Sequence, residues 1–253
     1  MPPLCLHLGV AREAALVLRN PIVDANLGGY AIGSTVPDVQ VITSLTREET
    51  HFFDLSEEEC ESGTKRIFEA HPHLGDTEKM DDAAKALVAG YLSHLITDEL
   101  WILEVYRPLF SAASPLGDNV MANMLDKLVQ YELDRRERED RAAMEAVRSS
   151  VLDWEPVDVL GFIEANLLAP WRDFVGSVAV REPDLGFFPA YARRYLLHRM
   201  NVDEEQLGDF FSTLDTTLEW TIQYVTPQRL TAFREKAVSL SVTLAREYLD
   251  ETD

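Results

Sequence analysis

Apolar residues recur along most of this chain at the three- and four-residue spacing of a buried helix face, and rarely at the alternate spacing of a strand. The strongest stretch covers residues 79 to about 110, opening near Asp81 or Asp82 and closing near Pro108. A second, 8–18, is ended by Asn20-Pro21. Met121, Met124, Leu125, Leu128 and Val129 predict a helix over about 119–151. Further helices are predicted at 156–180, 186–200, 203–224 and 226–249, with Pro227 well placed in the first turn of the last. Thr46 to His51 reads as a capped helix start, and Ser56 with Glu59 forms a capping box for the next helix. Residues 28–38 read as a loop, broken by Gly28-Gly29 and Pro37. The best strand signal, Val39-Gln40-Val41-Ile42, is short and isolated. No fixed-period repeat, low-complexity tract or clear linker interrupts the pattern. The expectation is one all-α multi-helix bundle spanning 1–253, its carboxy-terminal helices forming a second layer.

Composition narrows the classes of function. Hydrophobic residues make up 46% of the 253, as in a globular protein with a real core, and no apolar run approaches the length needed to span a bilayer. The start, Met1-Pro2-Pro3-Leu4-Cys5-Leu6-His7, lacks the basic region and apolar core of a secretory signal, so the expected location is the cytoplasm. Cys5 and Cys60 are too few for a disulfide framework and read as free thiols. The net charge of −21 repels phosphate backbones and anionic membranes, which argues against nucleic acid as a partner. The one dense basic stretch, Arg135 to Arg141, is laced with acids and reads as a solvated helix face. A small phosphorylated substrate held through a metal remains compatible with that acidity.

The candidate chemistry lies in the histidines and a few aspartates. His94 and Asp98 are four apart in the strongest helical stretch, so both leave one face about a turn apart. Neutral imidazole and carboxylate at that spacing can grip a zinc-like cation. Tyr91, Leu92, Leu95, Ile96, Leu100 and Trp101 crowd the pair, where an ionised aspartate needs a partner or a metal. A buried charge-assisted His–Asp pair is the alternative that the spacing alone leaves open. His71 and His73 flank Pro72 and read as a solvated pair, and His198 among Tyr195, Leu196 and Leu197 reads as packing. Glu48 and His51 make one Glu-x-x-His, but the second copy that a di-iron bundle needs is missing. No phosphate-cradling Gly-x-x-x-x-Gly-Lys loop and no Gly-x-Ser-x-Gly elbow occurs.

Three blocks together resemble the zinc-dependent phospholipase C family. They are Leu6-His7-Leu8 with Ala11 and Ala14; Gly33-Ser34-Thr35-Val36-Pro37-Asp38 followed by Thr50-His51; and Gly90-Tyr91-Leu92-Ser93-His94-Leu95-Ile96-Thr97-Asp98 with Trp101. The family's bacterial members share a helical fold with single-strand-specific zinc nucleases, and the same module opens glycosylphosphatidylinositol-specific phospholipase D. The resemblance implies that fold and a metal-binding part at about 5–110, with an unrecognised helical part at about 118–253. It implies one zinc ion held by Asp38, His51, His94 and Asp98, with Asp38 and Asp98 as the catalytic carboxylates and His7 able to share a second ion with Asp98. The implied activity is hydrolysis of a phosphodiester, its partner a small phosphoester or phospholipid head group.

The pattern also departs from the family. Ile102 stands where a further histidine is expected after the tryptophan, and no histidine occurs between His94 and His198, so a three-metal cluster is not expected. Some members supply a mature terminal amine as a ligand; here Met1 and several residues precede His7, so that ligand is not expected. Arg12, one to two turns after His7, reads as an exposed helix-face residue, and no arginine cluster replaces the missing ions. The competing expectation is a non-catalytic relative that keeps the metal, or only the fold, as a helical metal-binding or interaction protein.

Overall fold

The computed structural model describes residues 3–52, 62–117, 120–186, 188–190, 192–193 and 204–250. The helices, in chain order, are α1 (Leu4–Leu18), α2 (Pro21–Ala25), α3 (Leu27–Gly33), α4 (Glu48–His51), α5 (Ser62–Ala70), α6 (Asp82–Leu100), α7 (Arg107–Phe110), α8 (Val120–Glu139), α9 (Arg141–Asp153), α10 (Ala165–Ala179), α11 (Glu204–Ser212), α12 (Leu214–Val225) and α13 (Pro227–Asp250). Short 3-10 helices at Val36–Val41, Pro72–Gly75 and Thr77–Lys79 and a π turn at Trp101–Tyr106 join them. The described residues contain no strand, so the chain is all-α there, and none of their helices is long and apolar enough to cross a membrane.

The strongest periodic stretch becomes the central helix. Asp81 caps α6, its side chain accepting from the Ala84 amide at 2.8 Å. Every residue from Ala86 to Leu100 is buried, so this helix is enclosed on all sides. Helices α1, α3, α5 and α13 pack around it. Leu87, Tyr91 and Leu95 enter one apolar cluster with α1, α3, α9 and α10; Ile96, Leu100 and Trp101 enter a second with α8, α12 and α13.

Glycines set the closest helix crossing. A Cβ on Gly33 would lie 2.0 Å from the Leu87 carbonyl oxygen, and one on Gly90 would lie 2.0 Å from that of Tyr30. Backbone therefore meets backbone where α3 crosses α6, which no larger residue permits. Gly28 faces α9 in the same way, with the Ser150 carbonyl oxygen 2.1 Å from an ideal Cβ.

Several expectations are corrected. The segment expected as a loop holds α3, because its glycines serve close packing rather than chain reversal. The strand signal at Val39 to Ile42 belongs instead to the 3-10 helix Val36–Val41: Asp38 donates its amide to the Thr35 carbonyl, and no neighbouring strand offers a ladder. The helix predicted over 119–151 is two, because Asp140 leaves helical geometry and caps α9 through Ala143. Helix α10 starts only at Ala165, after a turn at Gly161 with φ of 76°. The stretch after α6 widens into the π turn ahead of Pro108, whose ring cannot sit against the Glu104 carbonyl; Arg229 takes that carbonyl at 3.0 Å. Arg138 is not on a solvated face: it is buried against Asp134 and the Cys5 thiol, while Arg135 and Arg136 pair with Glu132. The Ser56–Glu59 capping box, Cys60 and His198 lie outside the described residues.

The α3–α6 crossing gives a direct test. Gly90→Ala forces backbone apart and should cost about 3 kcal/mol, a fall in melting temperature of about 6–12 °C. Gly208→Ala on α11, where nothing lies within 4 Å of the added Cβ, should instead be neutral or slightly stabilising. Equal melting temperatures for Gly90→Ala and the parent would contradict the crossing.

Candidate metal centre

Four segments far apart in sequence bring five candidate residues to one place beside α6. His7 comes from α1, Asp38 from the 3-10 helix, His51 from the end of α4, and His94 and Asp98 from α6. Gly33 and Gly90 allow the chain after α3 to reach the α6 backbone, where the Ser34 carbonyl meets His94 Nδ1 at 2.9 Å. Trp171 of α10 steadies the same corner by donating to Thr35 Oγ1 at 3.1 Å. Tyr91 holds α4 from below, its hydroxyl bonded to the Thr50 carbonyl.

The hydrogen bonds orient the rings. A carbonyl can only accept, so His94 Nδ1 carries the proton and the neutral ring keeps its lone pair on Nε2. Thr50 Oγ1 has the Arg47 and Thr46 carbonyls for its own proton and can accept from His51 Nδ1 at 2.9 Å, which leaves the His51 lone pair on Nε2 as well. The two Nε2 atoms then face each other at 3.3 Å. His51 Nε2 lies 3.5 Å from Asp38 Oδ1 and 3.4 Å from Asp98 Oδ2, and His94 Nε2 lies 3.8 Å from Asp98 Oδ2. Ligands held tetrahedrally at about 2.1 Å from a zinc ion stand about 3.4 Å apart. The three distances from His51 Nε2 match an edge of such a shell.

His7 stacks on His94 with ring centroids 3.9 Å apart, and its Nε2 lies 3.4 Å from Asp98 Oδ1. Both His7 nitrogens and Asp98 Oδ1 are buried without a hydrogen-bond partner. Unpaired buried polar atoms are costly, and a cluster of them points to a missing group. Two triads fall within mutual reach of an ion, His7 with His94 and Asp98, and Asp38 with His51 and His94. His94 has one free nitrogen to give, so it can complete only one of them.

Burial works against ionising Asp38, but the facing His51 and His94 rings bring its carboxyl down to about 2. Burial likewise opposes charge on Asp98, and His7, His94 and Arg47 hold it well below the usual range. Burial, then the neighbouring His7, pushes His94 down to about 3, and burial also lowers His51. At neutral pH Asp38 and Asp98 are thus ionised and the His51 and His94 rings neutral, the protonation states a metal requires.

No protein-family model, no curated protein and no solved structure matches the chain. The geometry itself establishes an all-helical protein with buried His/Asp groups that could hold a metal ion.

Residues beyond the five complete the picture. Arg47, which the sequence reading passed over, places Nη2 3.2 Å from Asp98 Oδ2. Its signal was the four-residue spacing to His51. Asp126, a buried carboxylate downstream of Trp101, is engaged by Trp101 Nε1 at 2.9 Å, Gln130 Nε2 at 2.7 Å and Lys127, away from the cluster. Ile102 is itself buried. Arg12 is half-buried beside a cavity of 420 Å³ lined by Leu8, Tyr30 and Val147, none of them cluster residues. His71 is only partly exposed and stacks on Phe162 at 4.2 Å, while His73 is exposed and reaches the Val159 carbonyl.

The depressed histidines give a pH dependence. An unfolded histidine takes its proton near pH 6.5, whereas folded His94 takes it only near 3. Between those values the unfolded chain binds a proton that the native one refuses, so stability falls as pH falls, by up to about 1.4 kcal/mol per pH unit for each such ring. Urea titrations of chelator-treated protein should show lower stability at pH 5.5 than at pH 7, with a smaller difference in His94→Gln. Equal stability at the two pH values would contradict the buried neutral ring.

Proposed function

We propose that the chain is a zinc-dependent phosphoesterase acting on a phosphodiester, a phospholipid head group included, and related in kind to the zinc-dependent phospholipases C. The observation that carries this reading is the set of ring and carboxylate atoms about one tetrahedral edge apart around His51 Nε2. The three sequence blocks that resemble the family supply those same residues, which supports the reading from a separate direction. Two imidazoles and two carboxylates are a borderline-hard donor set suited to zinc.

Asp38, His51, His94 and Asp98 would hold the ion, and His7 with the second oxygen of Asp98 would hold a neighbour. A bound zinc ion supplies Lewis acidity and lowers the pKa of a water toward neutrality. Asp38 is the more exposed of the two carboxylates, with 17% of its side chain exposed, so it is the ligand that an incoming water would meet first. Asp98 lies buried between His7 and His51, within 3.4 Å of both Nε2 atoms. The Ser34 carbonyl fixes the His94 tautomer, the outer contact on which a ligand's basicity depends.

A second reading, a structural ion without turnover, is favoured by the buried Ile102 and the engaged Asp126. Both deny the site the extra ligands of a multi-ion cluster.

One set of variants separates the two. Zinc at about 100 times its dissociation constant should stabilise the protein by about 2.7 kcal/mol, a rise of about 5–10 °C in melting temperature. His94→Ala should abolish this rise together with hydrolysis of a chromogenic phosphodiester, whereas His73→Ala should leave both intact. A rise that survives His94→Ala moves the ion elsewhere; a rise without hydrolysis in the parent leaves the structural reading.

A further inference from the structure

The cluster gathers acceptors, and beside them Arg47 has donors without a partner. His7, His51, His94 and Asp98 are at most 2% exposed, while Asp38 and Arg47 each expose 17% of their side chains. Asp38 and Arg47 are thus the residues of the site that solvent reaches. Arg47 commits Nη2 to Asp98 Oδ2, and its Nε and Nη1 are buried with no hydrogen-bond partner. Two buried, idle guanidinium donors beside this cluster call for an acceptor, which an anion would supply.

The placement is firm. The Arg47 carbonyl accepts from the Thr50 amide at 3.0 Å and the His51 amide at 2.9 Å, so one turn carries both the guanidinium and the His51 ring. Tyr91 ties that turn to α6 through the Thr50 carbonyl. Charge points the same way. One divalent ion and Arg47 against the carboxylates of Asp38 and Asp98 leave a single positive charge, which a phosphodiester, with its one negative charge, neutralises. A neutral ester would leave the charge unmet. Two non-bridging oxygens on one phosphorus give the ion and Arg47 one acceptor each.

We propose that Arg47 is the residue that binds the phosphoryl group, with its unpaired Nη1 donating to a non-bridging oxygen and selecting anionic phosphodiesters over neutral esters. This rests on the metal-site reading above. Arg47 does the work of charge stabilisation that a further ion would otherwise do.

The test uses the full chain and reads two affinities by calorimetry: zinc alone, then inorganic phosphate on the zinc-loaded protein. Arg47→Gln should bind zinc within about threefold of the parent and phosphate about tenfold or more weakly. Arg47→Lys, which keeps the charge but loses the planar fork, should fall between them and carries the test if the glutamine variant does not fold. Undiminished phosphate binding in these variants overturns the inference and leaves the metal site standing. Loss of zinc binding together with phosphate binding in Arg47→Lys also overturns it, making Arg47 a structural counter-ion. A parent chain that takes up no zinc refutes the metal reading itself, and the assignment of Arg47 with it.

Discussion

Around His51 Nε2 the chain gathers atoms whose common property is a lone pair. His94 Nε2 lies 3.3 Å away, Asp98 Oδ2 3.4 Å and Asp38 Oδ1 3.5 Å. Such atoms repel unless a proton or a cation sits among them, and burial makes that repulsion strong. Arg47 supplies part of the missing positive charge from one side only, through a contact to Asp98. The fold thus holds in place a constellation that its own residues do not fully satisfy. Local strain of this sort persists where a bound group relieves it.

The means of holding it is steric. Gly33 and Gly90 let two backbones touch, and the carbonyl that emerges from α3 at Ser34 selects the His94 tautomer. Enclosure of α6 by α1, α3, α5 and α13 prevents the His94 and Asp98 side chains from turning toward water. Packing density, tautomer and charge state are therefore one chain of cause, running from two glycines to a nitrogen lone pair. A change at the crossing should be felt at the site even though neither glycine has a side chain to contribute.

Much of this was legible in the sequence. The His94–Asp98 spacing, the apolar residues around it and the 3.6-residue period all point to a buried pair on one helix, and α6 lies close to where the period puts it. Proline and glycine were less transparent. Pro37 and the glycines before it resemble loop formers, yet the glycines are spaced to admit neighbouring carbonyls, a requirement visible only once α6 and α9 are in place. Arg47 was hidden for a similar reason: its role depends on α4 lying against α6, and four residues of helix carry too weak a periodic signal. Arg138 shows the converse. A basic residue among acids looks solvated, but Asp134 sits four residues earlier on the same face and follows it into the interior.

The central claim is that Asp38, His51, His94 and Asp98 form the coordination shell of one divalent ion. Crystals of the full chain soaked in zinc and measured at the zinc absorption edge address it most directly. The account predicts an anomalous peak bounded by His51 Nε2, His94 Nε2 and the two carboxylates, about 2.0–2.2 Å from each ligand atom. A map without density between those four side chains, or with its peak at another site on the protein, would contradict it.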